Sequence, residues 1–227
     1  MLLSVIIPVY NEKKTILEIL KKIEEVPLNK EIIIVDDGST DGTRELLAQF
    51  HDSVNIHVYL HPNNKGKGMA IRTAIPNCSG DIIIIQDADL EYDPADYLKL
   101  VEPFKYHEVK VIYGSRFLNN VNRHSYLRFY MGGRLLSFIT NILFAQNLTD
   151  EPTCYKVFDA DFLKSIPLKC KKFEFCPEVT AKVAKKGIKI KEIPINYYPR
   201  TLGEGKKITW KDGLQAIWVL FKYRFVN

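Results

Sequence analysis

Asp87, Asp89 and Glu91 close the stretch DIIIIQDADLE, and three carboxylates at that spacing suit one kind of chemistry. Two carboxylates held together repel unless positive charge lies between them. A hard divalent cation with oxygen ligands, Mg²⁺ first, answers that need and commonly joins carboxylates to the phosphates of a substrate. Alternate residues of a strand share a face, so an Asp-Ala-Asp step leaving a strand can aim Asp87 and Asp89 at one point. A solvated acidic turn after a core strand would carry the same letters. The case therefore depends on what the other elements bring beside it.

The four isoleucines Ile82 to Ile85 form an unbroken β-branched run, as expected of a strand buried on both faces of a parallel sheet. Leu2–Tyr10 and Glu31–Val35 read the same way, and Asn55–Leu60 reads as a further strand. Between them, apolar residues recur at helical spacing over Thr15–Val26, Thr43–Phe50 and Met69–Ile75. Thr15 with Glu18 has the spacing of a capping box. Strand alternating with helix is the doubly wound α/β pattern, and such sheets bind ligands outside the carboxyl ends of their strands. Three strands end there in polar clusters: Tyr10-Asn11-Glu12, Asp36-Asp37 and Asp87 with Asp89. The loop Asp36 to Gly42 is rich in turn residues, with Asp41 read as an Asx turn. Lys65 and Lys67, in the basic loop Asn63 to Gly68, are either solvated or touch the ligand.

The second half is expected to add a helix over Pro94–Tyr106 and a strand over Val109–Tyr113 that ends at Arg116. Tyr126–Ala145 is strongly apolar, with Arg128 and Arg134 as its only formal charges, and Gly132-Gly133 should interrupt it. Thr149–Phe158 reads as a loop entering a strand, and Asp161–Ser165 and Pro177–Lys186 as helices. Ile188–Tyr197 is a strand in which Pro194 marks an edge or a bulge. A basic loop, Thr201–Lys207, leads to an amphipathic helix over Thr209–Phe225.

The 227 residues fit one well-buried domain, and a net charge of +5 does not call for nucleic acid. The four cysteines contain no C-x-x-C pair, which argues against a zinc site and for reduced thiols. No leader pattern and no apolar run of the ~18 residues a spanning helix needs is evident. The expectation is a cytoplasmic protein, soluble or resting on a membrane surface. His51, His57, His61, His107 and His124 fall outside the strand-end clusters and are given no chemistry.

SVIIPVYNE, VDDGSTDGT, NKGKGMAI, DADLEYDP and GSRF, in that order, resemble a family 2 glycosyltransferase with the GT-A fold. The later segments TDEPTCYKVF, FEFCPEVTAK and EIPINYYPRTLGEGKK followed by ITWKDG are similar to the polyprenyl-phosphate sugar transferase branch, which includes dolichol-phosphate mannosyltransferases. The resemblance implies an α/β fold with a mostly parallel central sheet and helices on both faces. It implies a single domain over 1–227, with a nucleotide-sugar half (1–116) and an acceptor half (117–227).

By that resemblance, Pro8, Tyr10, Glu12, Val35 and Asp37 would line the nucleoside pocket, with Ala88 close by. Asp87 and Asp89 would hold Mg²⁺ or Mn²⁺ against the diphosphate, with Glu91 completing the set. Arg116, Arg128, Arg200 and Lys206 would bind phosphates of donor or acceptor, and Asp89 and Arg200 would carry catalysis. The donor would be GDP-mannose or a UDP-hexose and the acceptor a polyprenyl phosphate at the cytoplasmic face of a membrane, with inversion at the anomeric carbon. A membrane-protein partner or a homodimer is also open.

Each residue has a plainer alternative. Tyr10 and Glu12 could cap the first strand, Arg116 could pair with a carboxylate, and Cys154 and Tyr155 could be packing. A hydroxyl acceptor would need a general base, for which Glu178 or Asp150 would serve. A phosphate acceptor is already anionic and needs positioning instead. A sugar-nucleotide-binding subunit without activity is the remaining alternative.

Overall fold

The computed structural model describes residues 1–106, 109–119, 122, 126–200 and 209–226. Runs of β-branched residues form the centre of its sheet. β1 (Leu3–Val9), β2 (Lys30–Asp36), β4 (Ile82–Ile85) and β5 (Val111–Ser115) are buried along nearly their whole length, so both sheet faces are covered there. β3 (Ile56–Leu60), β6 (Lys156–Asp159) and β7 (Lys191–Pro194) complete a seven-stranded sheet in the order β3-β2-β1-β4-β6-β5-β7. Among the described residues every pairing between these strands is parallel except the two made by β6, which enters antiparallel between β4 and β5. Residues after 116 therefore build the middle of the same sheet. β7 lies at an edge, as the proline at its end requires.

The strand order reverses between β1 and β4, and β1 aligns Val9 with Asp36 of β2. The carboxyl ends of β1, β2 and β4 thus meet on one side, at the switch point where open α/β sheets take ligands.

The helices are α1 (Ile16–Glu25), α2 (Thr43–Leu47), α3 (Lys67–Ala74), α4 (Tyr97–Val101), α5 (Leu127–Phe144), α6 (Ala160–Lys164), α7 (Phe175–Lys185) and α8 (Trp210–Phe225). Two local expectations are corrected. The Thr15–Glu18 capping box does not form, because the Thr15 hydroxyl donates to Glu12 instead. The reciprocal box is at Thr209 and Asp212, opening α8. Gly132-Gly133 does not interrupt α5: Gly133 sits inside, where an added Cβ would meet Phe117 at 3.4 Å and Pro152 at 3.5 Å, and that packing offsets its weak helix propensity. No helix among the described residues is long and apolar enough to cross a membrane.

One buried carboxylate ties β2 to the entry of β4. Glu31 accepts from Ser4 Oγ, Ser79 N, Ser79 Oγ and Gly80 N. Burial alone would raise its pKa; these bonds overcome that and hold it below the ordinary value. A lowered folded-state pKa stabilises the fold above the unfolded value, about 4.3, and that stabilisation is lost as pH falls through the folded value. Glu31→Ala is expected to cost on the order of 3 kcal/mol at neutral pH, since it leaves several donors without an acceptor. In urea unfolding at a series of pH values, the gap to wild type should narrow as the solution is acidified; a constant gap would argue against this assignment.

Candidate active site

β4 stops at Ile85, and the chain turns rather than continuing as a strand. Buried Gln86 anchors the turn: its side-chain oxygen accepts from both Tyr97 Oη and Tyr155 Oη, each at 2.6 Å. Asp87 and Asp89 lie on this turn, so strand alternation is not what orients them. Leu90 follows in the left-handed region, at φ 64°. A non-glycine residue there is strained, and such strain collects at functional sites.

Each aspartate faces a cation brought from another element. Lys67, the first residue of α3, reaches Asp87 Oδ1 at 2.5 Å, with the Cys154 Sγ 3.9 Å from its ammonium. Arg200, from the segment after β7, donates to Asp89 Oδ2 at 2.7 Å and to the Glu12 carboxylate at 3.2 Å. The two aspartates titrate apart. Burial would raise Asp87, but Lys67 reverses this and holds it below the ordinary carboxylate value. Burial, then repulsion from Asp87 and Glu91, pushes Asp89 up to about 7, with Arg200 offsetting only part. Asp89 is a carboxylate short of positive charge.

Glu91 departs from its expected place in a cation set. Its Oε2 accepts from Tyr197 Oη and its Oε1 from the Arg200 backbone N–H, while its carbonyl accepts from Tyr198 N. The turn at Leu90 sends it toward the second half of the chain, where it carries Arg200 to Asp89. Among the described residues no group of three His, Cys, Asp or Glu side chains could hold a metal ion. The acidic pair keeps that possibility without Glu91.

The nucleoside side is also revised. Val35 is fully buried in β2 and Ala88 is 3% exposed, so neither side chain offers surface to a base. Asp37 is buried and taken up locally: Oδ1 accepts from Lys65 N, Oδ2 from Gly66 N, and His61 Nδ1 lies 2.6 Å from Oδ1. It shapes the loop that aims Lys67. His61 thus belongs to the strand-end cluster, contrary to the sequence reading, and its Nε2 lies 3.0 Å from Thr73 Oγ1. Asp41 forms the expected Asx turn through Thr43 N. Pro8 and Tyr10 remain half-buried at the end of β1, and Glu12 joins that end to Arg200.

Arg116 lies apart from the acidic pair in its own arrangement. Its Nε and Nη2 hold Asp150 at 2.7 Å each, and its guanidinium lies 5.1 Å from the Tyr197 ring centre. The plain alternative of a carboxylate partner applies here, except that the partner is fully buried. Glu178 is likewise engaged by Lys182, Tyr223 and the Lys169 and Cys170 amides. Arg128 sits exposed on the first turn of α5, over the Tyr126 and Phe129 rings. Lys206, the loop Thr201–Lys207, His107 and His124 lie outside the described residues.

Comparison with known proteins adds four findings. Residues 4–166 match the family model described as glycosyl transferase family 2. The chain is 30% identical over 213 residues to the UDP-N-acetylglucosamine–dolichyl-phosphate N-acetylglucosaminyltransferase of Methanococcus voltae, covering 86% of this chain and 84% of that one. It is 28% identical to the low-salt glycan biosynthesis hexosyltransferase Agl6 of Haloferax volcanii over 99% of its own length, but spans only 53% of that relative. In structure it resembles glucosyl-3-phosphoglycerate synthase of Mycobacterium tuberculosis, solved with Mn²⁺, UDP and glucosyl-3-phosphoglycerate. That match has a TM-score of 0.76 at 21% identity and covers 99% of this chain and 80% of that one.

Proposed function

We propose that this chain, which belongs to glycosyl transferase family 2, moves a hexosyl or N-acetylhexosaminyl group from a nucleotide diphosphate to a polyprenyl phosphate at a membrane surface, inverting the anomeric centre. The observation that carries the reading is the pair Asp87 and Asp89 at the sheet's switch point, met by Lys67 and Arg200. Uridine donors come first, because the Methanococcus relative is named for UDP-N-acetylglucosamine and the mycobacterial neighbour was solved with UDP.

The donor set fits a hard divalent cation. Asp87 and Asp89 offer carboxylate oxygens, and the upward push on Asp89 marks a need for charge that Arg200 only partly meets. Mg²⁺ or Mn²⁺ held there would compensate the charge that grows on the departing diphosphate. Arg200 supplies fixed positive charge at the same place. Its Nε–H is buried without a hydrogen-bond partner among the described residues, a donor suited to a phosphate oxygen. Lys67 is a second cation at the site, paired with Asp87.

A phosphate acceptor needs no general base. The two carboxylates that could serve a hydroxyl acceptor are already committed, Asp150 to Arg116 and Glu178 to Lys182. This favours the phosphate acceptor over the hydroxyl one. Arg116 and Lys206 keep the phosphate roles that family resemblance implies.

The test is incubation with radiolabelled UDP-N-acetylglucosamine, UDP-glucose and GDP-mannose, with and without polyprenyl phosphate, counting product in the organic phase. Label should enter that phase only with the lipid phosphate and should fall to background in EDTA. Transfer undiminished by EDTA would count against the metal assignment. Label that stays on water-soluble hydroxyl acceptors would count against the acceptor assignment.

A further inference from the structure

Arg116 is aimed by a chain of hydrogen bonds that starts on another strand. The turn that carries it leaves the carboxyl end of β5, and β7 runs parallel to β5 with Tyr113 beside Glu192. The half-buried Glu192 turns its carboxylate to the segment Thr149-Asp150. Its Oε2 accepts from Thr149 N at 2.7 Å and from Thr149 Oγ1 at 2.8 Å, and its Oε1 accepts from Asp150 N at 2.8 Å. Consecutive backbone amides and a hydroxyl thus converge on one carboxylate. None of these donors is charged, so the contact is a clamp on the backbone and not an ion pair.

The clamp also fixes the direction of the hydroxyls next to it. Thr149 Oγ1 has a single proton, and it gives that proton to Glu192. In its 2.6 Å contact with Ser115 Oγ it must therefore accept, so Ser115 donates. Ser115 Oγ in turn accepts from Phe117 N at 3.2 Å, and the relay ends on the residue after Arg116. Arg116 itself is held by Asp150, which accepts from its N at 2.9 Å and from its Nε and Nη2 at 2.7 Å each. Asp150 is fully buried, and the backbone that places it is the backbone Glu192 clamps. The amides of Arg116 and Phe117 and the guanidinium all trace back to Glu192.

We infer that Glu192 is a positioning residue for Arg116, acting through Thr149 and Asp150 and not on the phosphate. Its purpose rests on the acceptor reading above: Arg116 stands apart from the acidic pair, so the phosphate it serves is the acceptor's. A guanidinium meets phosphate as a planar fork, so its angle matters as well as its charge. A shift of about 1 Å in a positioned group can cost on the order of 10²-fold.

One test needs no substrate. Exchange of the Arg116 Nε–H with water is followed by ¹⁵N NMR, the signal being assigned by its loss in Arg116→Gln. Bonded to buried Asp150, it should exchange slowly in wild type. Glu192→Gln puts an amide N–H where the clamp needs an acceptor, and exchange should quicken roughly ten-fold or more. Thr149→Val should act in the same direction, and Thr149→Ser should restore most of what Thr149→Val loses. Should Glu192→Gln not fold, Thr149→Val carries both measurements. The second test is kinetic. Glu192→Gln should raise KM for polyprenyl phosphate roughly ten-fold and leave KM for the nucleotide sugar within about two-fold. In an Arg116→Gln background it should add less than about two-fold, because the group it positions is gone. Unchanged Nε–H exchange would overturn the inference, even with a lowered melting temperature, which would make Glu192 structural only. A ten-fold effect on KM that persists without Arg116 would overturn it as well. If exchange quickens but neither Glu192→Gln nor Arg116→Gln alters KM for the lipid phosphate, the acceptor reading fails and the positioning stands.

Discussion

Asp89→Asn should lose on the order of 10² to 10³ in sugar transfer while remaining folded. The amide keeps an oxygen to accept from Arg200, whose donor lies 2.7 Å from the present carboxylate. What the substitution removes is the charge. That charge is held at a cost: burial, Asp87 and Glu91 all act against it. Its loss should leave the melting temperature within about 3 °C of wild type, corresponding to roughly 1 kcal/mol in a chain of this size. In the proposed chemistry the same charge is needed, because it would help hold the divalent cation that compensates the diphosphate as it leaves. Mn²⁺ binding, followed by the electron paramagnetic resonance of the free ion, should weaken together with transfer. Full transfer by the variant would remove Asp89 from the chemistry. A collapse of the melting temperature would make it a structural residue instead.

Much of the scaffold was legible because burial on both sheet faces leaves a plain mark. Ile82 to Ile85 cannot alternate polar and apolar residues when both faces are covered, and β4 carries four consecutive buried side chains. The convergence of three strand ends followed from the α/β pattern and appears as the parallel β2-β1-β4 core. The orientation of α5 was harder. The count of apolar residues in α5 was visible, but which side faces the protein is set by Phe117 and Pro152, which pack against Gly133. Paired glycines in an exposed helix would weaken it; one glycine pressed against a ring does not.

The site was legible in its residue types and not in its partners. The family resemblance assigned Glu91 to the acidic pair, yet the left-handed turn at Leu90 redirects it to Tyr197 and Arg200. Asp37 looked like a ligand contact because it ends a strand, but its oxygens shape the loop ahead of Lys67. Lys67 showed only as a loop cation that is solvated or touches the ligand, and His61 showed no signal at all. Lys67 acquires its role only when α3 is laid beside β4, and His61 only when β3 ends beside β2. Long-range pairing of charges is set by the fold, and residue spacing cannot report it.

Arg200→Ala should separate two effects that a merely structural arginine would not. The guanidinium now balances Asp89 and Glu12, 2.7 and 3.2 Å away, with Glu91 at 3.9 Å. Without it Asp89 loses its counter-charge while Lys67 stays on Asp87, so the variant should bind Mn²⁺ more tightly than wild type when no donor is present. The diphosphate, however, loses a fixed cation where its charge grows, so transfer should fall on the order of 100-fold. Arg200→Lys should restore part of the rate but not the geometry, because an ammonium cannot span Glu12 and Asp89 as a planar fork does. Tighter metal with slower transfer is the expected signature, read by Mn²⁺ titration and by initial rates over a range of donor concentrations. If metal affinity and transfer both fall, Arg200 organises the carboxylates and does not act on the phosphates. If neither changes, the contact between the two halves of the chain at Arg200 is incidental to the chemistry.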